Sequence, residues 1–239
     1  LDPVTISLDD YYRNIEDRPM DEHGNIDYEA LECLDIPLLT EHLQTLADGG
    51  KVMAPRYDFE AGKRAPASKS IPLQLSDNQI LLIEGIHGLN PAIADAVPTS
   101  ARFRIFVSAL TQLIIDEHTR IPTSDARLLR RIVRDRRYRG TSAADTIDRW
   151  PSVRRGEQRN IFPFQENCDV MFNSALVYET AVLKTFAWRY LLEVPRNSPA
   201  RVRAQPLLRF LDLFVPIFPD DIPSNSLLRE FIGGSNFAY

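Results

Sequence analysis

Gln79-Ile80-Leu81-Leu82-Ile83 is followed at once by Glu84-Gly85. A short, unbroken apolar run closed by a turn residue is the pattern of a strand at the buried centre of a parallel sheet. Far upstream, Val4-Thr5-Ile6-Ser7 is a second β-prone run, and it ends in Leu8-Asp9-Asp10-Tyr11-Tyr12. Both strands therefore deliver acids to their carboxyl ends, which is where ligands sit in open α/β sheets.

Working outward, Arg13 to Asn25 is a polar loop carrying Pro19 and Gly24. Tyr28 to Ala47 has helical spacing, with Leu31, Leu34, Leu38, Leu39, Leu43 and Leu46 on one side. Pro37 is expected to divide it and Gly49-Gly50 to end it. Lys51 to Phe59 and Lys69 to Leu75 suggest a β-hairpin around a polar connection. Phe103 to Val107 and Val170 to Phe172 read as further strands. Ser124 to Tyr138, Ala143 to Trp150 and Val153 to Arg159 read as helices. Strand alternating with helix argues for an α/β layered fold over residues 1–178. Beyond Tyr178, Ala181 to Leu192 and Leu207 to Phe214 have amphipathic helical spacing. Pro216, Pro219 and Pro223 then lead to a last short helix, Ser226 to Phe231. Residues 179–239 are thus expected to form a helical C-terminal extension packed on the core.

The 239 residues are 44% apolar and 26% charged with net charge −5, ordinary globular values that call for no nucleic-acid or membrane partner. No apolar run reaches the roughly 18 residues of a membrane span, and nothing resembles a signal peptide. Cys33 and Cys168 form no metal-like spacing, and His23, His42, His87 and His118 are too scattered for a zinc site. A cytoplasmic protein is the simplest expectation. The charge is unevenly spread, however. Of 24 arginines, 12 lie between Arg120 and Arg159, against four lysines in the whole chain. Arginine is the residue for forked contacts with phosphate or carboxylate oxygens.

Four constellations could carry chemistry. Asp9-Asp10 at a strand end could accept a proton from a substrate hydroxyl or help hold Mg²⁺, or simply cap a turn. Glu84, at the tip of an apolar strand, has the layout of a metal-side carboxylate, or is a plain strand-end residue. Arg127, Arg130, Arg131 and Arg134 fall on one helical face, followed by Arg136, Arg137, Arg139 and Gly140. A polyphosphate, a nucleic acid or an acidic surface would answer these charges, and so would local partners such as Asp125 and Asp135. Tyr57-Asp58-Phe59 could stack on a base or pack into the core. The phosphate-loop pattern G-x-x-x-x-G-K-[ST] occurs nowhere in the chain, and neither Gly50-Lys51 nor Gly62-Lys63 satisfies it.

In this order the segments resemble the uridine kinase / phosphoribulokinase family, in particular a bacterial-type uridine kinase-like subgroup. Ser7-Leu8-Asp9-Asp10-Tyr11-Tyr12 is similar to the family's S-x-D-x-[FY]-Y, and Asn25-Ile26-Asp27 to N-F-D. Pro55-Arg56-Tyr57-Asp58-Phe59 with Arg64 is similar to P-x-Y-D-F…R, and Leu82-Ile83-Glu84-Gly85-Ile86 to [LF]-x-E-G-I. Arg130-Arg131-Ile132-Val133-Arg134-Asp135 with Arg139-Gly140 is similar to R-R-x-x-R-D…R-G.

The resemblance implies a P-loop NTPase-type parallel sheet flanked by helices, ATP and Mg²⁺ as cofactors, and a small nucleoside-like substrate. It leaves homo-oligomerisation open. It implies Asp9 as general base near Mg²⁺, Glu84 as support for the metal, and Asp27 as a ribose ligand. Tyr12, Tyr57, Phe59 and Arg64 would bind substrate, and Arg131, Arg134 and Arg139 would form a catalytic lid over the phosphates. The pattern departs at Ile26, Thr141 and Arg149, and at Gly62, where animal-type uridine kinases carry histidine. Family members carry the phosphate loop just before the segment matching Leu1, so the natural protein is expected to extend upstream. A related kinase for pantothenate or a sugar phosphate, and an inactive nucleotide- or RNA-binding module, are the alternatives.

Overall fold

The structure, a computed structural model, describes residues 2–21, 24, 26–59, 61–111 and 121–237. Asn25 of the Asn25-Ile26-Asp27 segment, His23, His118 and Arg120 lie outside the described residues. In chain order the elements are β1 (Asp2–Ser7), α1 (Ile36–Ala47), β2 (Lys51–Ala54), β3 (Tyr57–Asp58), β4 (Lys63–Arg64), β5 (Ile71–Gln74), β6 (Gln79–Glu84) and α2 (Pro91–Ala94). Then come β7 (Ile105–Ser108), α3 (Thr123–Tyr138), α4 (Ala143–Asn160), β8 (Val170–Asn173), α5 (Glu179–Leu192), α6 (Arg201–Asp212) and α7 (Arg229–Ile232). This is a mixed α/β chain with parallel strand pairing, as expected for the fold class.

The chain forms two compact units, Leu1–Phe106 with Ser152–Val170, and Val107–Pro151 with Met171–Tyr239. In the first unit β1 and β6 pair in parallel, in register from Asp2 with Gln79 to Ser7 with Glu84. Ile6 is buried from β1, and Leu81 and Ile83 of β6 pack toward the same cluster, which Leu39, Leu43 and Leu46 of α1 complete. Only that face of β6 is covered. Ile80 and Leu82, on the other face, are 46% and 48% exposed. The expectation of a strand buried on both sides is thus corrected. Alternate residues of a strand face opposite ways, and among the described residues β6 has one strand partner and one packed face. The strands form four two-stranded sheets among the described residues: β1–β6, β2–β5, β3–β4 and β7–β8.

The expected helix from Tyr28 is shorter than its leucine spacing suggested. Leu31–Cys33 is a separate 3-10 turn, and α1 begins around Pro37, which stands in its first turn. Proline is tolerated there because its missing N–H would have had no helical partner. Asp35 caps the start, accepting the Leu38 N–H at 3.3 Å. The hairpin forms as β2 with β5, antiparallel from Lys51 opposite Gln74 to Ala54 opposite Ile71. A smaller antiparallel pair, β3–β4, is nested within it.

Two helices expected on either side of Pro151 are one, α4, with Pro151 inside it. Proline removes one helical hydrogen bond, which flanking burial of Ile147, Trp150 and Val153 offsets. In the second unit α3 packs against α5 and α7, and α5 against α6. Leu128, Leu129, Ile132 and Val133 of α3 are fully buried, as are Val182, Leu183 and Leu191 of α5 and Leu207 and Leu211 of α6. The helix expected over Ser226–Phe231 is realised as the shorter α7. Among the described residues no helix is long and apolar enough to cross a membrane.

Candidate functional site

In the first unit the chain leaves β1 into a 3-10 turn, Leu8–Tyr11, that carries Asp9 and Asp10. Parallel pairing sets Glu84 beside Ser7, so the acids of both strands stand at the same end of the pair. The two strand ends touch. Gly85 has φ of +149°, and a Cβ there would lie 2.7 Å from Leu8 Cβ. Only glycine lets the turn after Glu84 pass the residue before Asp9. Asp9 and Glu84 are both exposed.

Asp10 has another task. Its carboxylate accepts from Arg56 Nη1 at 2.6 Å and from the Tyr57 N–H at 3.1 Å, tying the strand-end turn to the hairpin. Asp9, beside it on the same turn, is exposed. Among the described residues no group of three or more His, Cys, Asp and Glu side chains is gathered for a metal. Mg²⁺, however, is commonly held by one or two carboxylates with waters and substrate phosphates. Asp9 with Glu84 is a donor set of that kind.

The three aromatic candidates form a chain of edge contacts. Tyr12 and Tyr57 have ring centroids 5.7 Å apart, and Tyr57 and Phe59 5.1 Å. Sequence reading missed what holds them. Arg18, only 8% exposed, lays its guanidinium over the rings of Tyr12 at 4.5 Å, Tyr57 at 5.0 Å and Tyr28 at 5.6 Å. It also donates to the Tyr57 hydroxyl and, at 3.0 Å, to the Arg13 carbonyl. A desolvated cation over several aromatic faces is a strong clamp. Tyr12 and Tyr57 thus form a fixed wall already faced by Arg18, while Phe59 is exposed. Burial raises the Tyr12 and Tyr57 phenols above their ordinary range, with Arg18 opposing.

Arg64 is engaged elsewhere. Its Nη2 lies 3.1 Å from Asp35 Oδ2, the acid that caps α1, and its backbone N–H donates to Asn14 Oδ1. Asp27 sits on a loop held by its own backbone. Its N–H donates to the Pro19 carbonyl at 3.0 Å, and its Oδ1 accepts from the Glu29 N–H at 3.3 Å. The loop is pressed by α4. Asn160 Nδ2 donates to the Glu29 carbonyl at 2.7 Å, and a Cβ on Gly156 would lie 2.2 Å from Glu29 Cβ.

A further residue beyond Glu84 was not singled out from sequence. His87 is 2% exposed, and neither ring nitrogen has a hydrogen-bond partner among the described residues. Burial lowers its imidazole to about 4, against the opposing pull of Glu32 and Asp27. A lone histidine carries no period or spacing, so no sequence signal marked it.

In the second unit the arginines are sorted by partner. Arg130 makes a forked ion pair with Glu179, and its Nη2 also donates to the Ser174 carbonyl at 2.8 Å. Arg136 pairs with Glu193 at 3.1 Å. Arg131, Arg134 and Arg139 converge on Asp135, at 3.4, 3.6 and 3.3 Å. Asp135 is 5% exposed, and Arg134 has Glu230 as a more distant second acid, 3.9 Å away. Three guanidinium groups against these two carboxylates leave a local positive excess. Burial and then the Arg139 charge lower the Arg134 guanidinium from its ordinary range. Local carboxylate partners, one of the alternatives for the arginine face, are present. Carboxylates of the same unit answer Arg130 and Arg136, and the three lid candidates share one aspartate.

Comparison with known proteins accords with this geometry. Residues 4–181 match the model of the Phosphoribulokinase / Uridine kinase family. A uridine kinase of Halobacterium salinarum is 27% identical over 168 residues, covering 70% of this chain and 65% of its own length. One from Lactobacillus johnsonii is 30% identical over 147 residues, covering 62% of this chain and 60% of its own. The chain thus spans somewhat under two thirds of the length of these relatives. With the match running through the strand-end acids, the aromatic hairpin and the arginine helix, the chain belongs to the phosphoribulokinase / uridine kinase family.

Proposed function

We propose that the protein transfers a phosphoryl group from ATP to the 5′-hydroxyl of a nucleoside such as uridine or cytidine. The observation that carries the reading is the pair of acids, Asp9 and Glu84, at the touching carboxyl ends of β1 and β6. In this reading Asp9 accepts the proton of the acceptor hydroxyl, the general-base role that phosphoryl transfer asks for. Asp27 takes ribose hydroxyls, and the Tyr12–Tyr57–Phe59 wall carries the base. Mg²⁺, when bound, would sit at Asp9 and Glu84 and neutralise charge on the transferred group. Arg131, Arg134 and Arg139 supply positive excess to phosphate oxygens, and Arg64, paired with Asp35, completes the substrate-binding set. The donor phosphates have no Gly-rich backbone cradle within these 239 residues, so the roles assigned are confined to the acceptor and the arginines. Two cysteines without a disulfide fit a cytoplasmic setting, and residues 179–239 are read as an extension added to the kinase core.

A related acceptor is the second reading. Gly62 has φ of +66°, and a Cβ there would lie 2.3 Å from Ile15 Cδ1. A histidine here, as in animal-type uridine kinases, would strain the left-handed backbone and have to displace the Ile15 side chain, and Gly62 itself offers no side chain to a pyrimidine. Calorimetry of the chain against uridine, cytidine, pantothenate and ribulose 5-phosphate separates the readings. Uridine or cytidine is expected to bind, with Asp27→Asn weakening binding at least tenfold and Asp9→Asn leaving it largely intact. Binding of pantothenate or the sugar phosphate alone would replace the nucleoside reading, and binding of none would end it.

A further inference from the structure

His87 stands three residues past Glu84 on a turn that leaves little freedom. The Gly88 N–H donates to the Gly85 carbonyl at 3.1 Å, and the Asn90 N–H to the His87 carbonyl at 2.9 Å. Asn90 then caps α2 through its side chain. The imidazole at the end of this turn is 98% removed from solvent (2% exposed), and both Nδ1 and Nε2 lack partners among the described residues. Buried polar atoms are almost always hydrogen-bonded, and an orphan asks for a water, an ion or a ligand. Glu32 and Asp27, the latter the proposed ribose ligand, lie near enough for their charges to act on the ring.

We propose that His87 is a specificity-determining contact for the polyhydroxy acceptor, hydrogen-bonding a hydroxyl of the compound that Asp27 holds. This rests on the acceptor reading above. The chemistry is selective. A neutral imidazole has one N–H donor and one bare nitrogen acceptor, which matches a hydroxyl that can both give and take a proton. Burial lowers the ring to about 4, so it stays neutral at physiological pH and offers no charge to a phosphate or carboxylate. An acceptor presenting an uncharged hydroxyl at this point is therefore favoured over one presenting an anion.

The test uses the 239-residue chain with ¹⁵N-labelled histidine, uridine as ligand, and a His87→Leu variant of similar bulk. Saturation with uridine should move a His87 ring ¹⁵N resonance. His87→Leu should weaken uridine about tenfold by calorimetry, with the melting temperature unchanged or raised, since two orphaned nitrogens are gone. Uridine binding equally to both proteins, with a still ¹⁵N spectrum, overturns this proposal and leaves the acceptor reading standing. A large fall in melting temperature with unchanged affinity makes His87 a structural group and also overturns it. Uridine binding to neither protein removes the acceptor reading and this proposal with it.

Discussion

Glu179→Gln and Arg130→Met each remove one half of an ion pair that the second unit has buried. The side chains are 14% and 4% exposed for Arg130 and Glu179. The guanidinium fork meets both carboxylate oxygens, Arg130 also holds the Ser174 carbonyl at 2.8 Å, and Glu179 also accepts the Leu176 N–H at 3.3 Å. Removing either partner strands the other charge away from water, which costs about 3–5 kcal/mol. At roughly 2–4 °C per kcal/mol for a chain of this size, the melting temperature should fall by about 6–20 °C. Replacing both together, Arg130→Met with Glu179→Leu, should return stability to within about 1 kcal/mol of the parent, because an apolar pair avoids the desolvation cost. Thermal and urea denaturation followed by circular dichroism, on the parent and these three variants, read these values. Single variants that each melt within about 2 °C of the parent, well below the loss expected of a buried pair, would refute the reasoning. Arg130 would then return to the group of arginines open to an external anion.

Lowering pH should weaken the fold through His87. Its folded value of about 4 lies below the unfolded value of 6.5, so between these the unfolded state binds the extra proton. Stability is therefore full above pH 6.5 and is lost as pH falls toward 4, by about 3 kcal/mol in total. Melting temperatures from pH 7 to 4.5 should show this slope, and His87→Leu should remove its share, leaving that of His42, which burial also lowers. A slope identical in both proteins contradicts the argument. Gly156→Ala tests the pressure of α4 on the Asp27 loop. Glycine to alanine in a helix normally gains up to about 1 kcal/mol. Here the new Cβ would meet Glu29 Cβ at 2.2 Å, so a loss of about 1–3 kcal/mol with weaker uridine binding is expected. A gain in urea midpoint would show that the loop yields freely.

The strand-end acids were legible because their signals are local. Glu84 follows an apolar run and Asp9 a β-branched one, and parallel pairing of two such strands brings the acids to one end. The ends of α1 and the course of α4 were harder to read. Pro37 and Pro151 carry the same local signal, a missing N–H. One stands in the first turn of a helix, where the loss is harmless, and the other lies inside a helix flanked by buried Ile147, Trp150 and Val153. Which outcome follows depends on burial, which no neighbouring residue encodes.

Partner choice was the least legible. Arg130 and Arg131 are adjacent in sequence, yet Arg130 takes Glu179, 49 residues away, and Arg131 takes Asp135 in the next turn. Arg18 finds the Tyr57 hydroxyl 39 residues on, and His87 finds no partner among the described residues. Sequence by itself determined the α/β class, the family, the strand-end acids and the concentration of arginine, because strand period, helix period and charge density are properties of short windows. Tertiary structure alone decided that β6 is covered on one face, that Asp10 pairs with Arg56 and Arg64 with Asp35 while Asp9 stands exposed, and that a buried arginine clamps the aromatic wall. These outcomes turn on desolvation and on contacts between distant segments, and both exist only once the chain has folded.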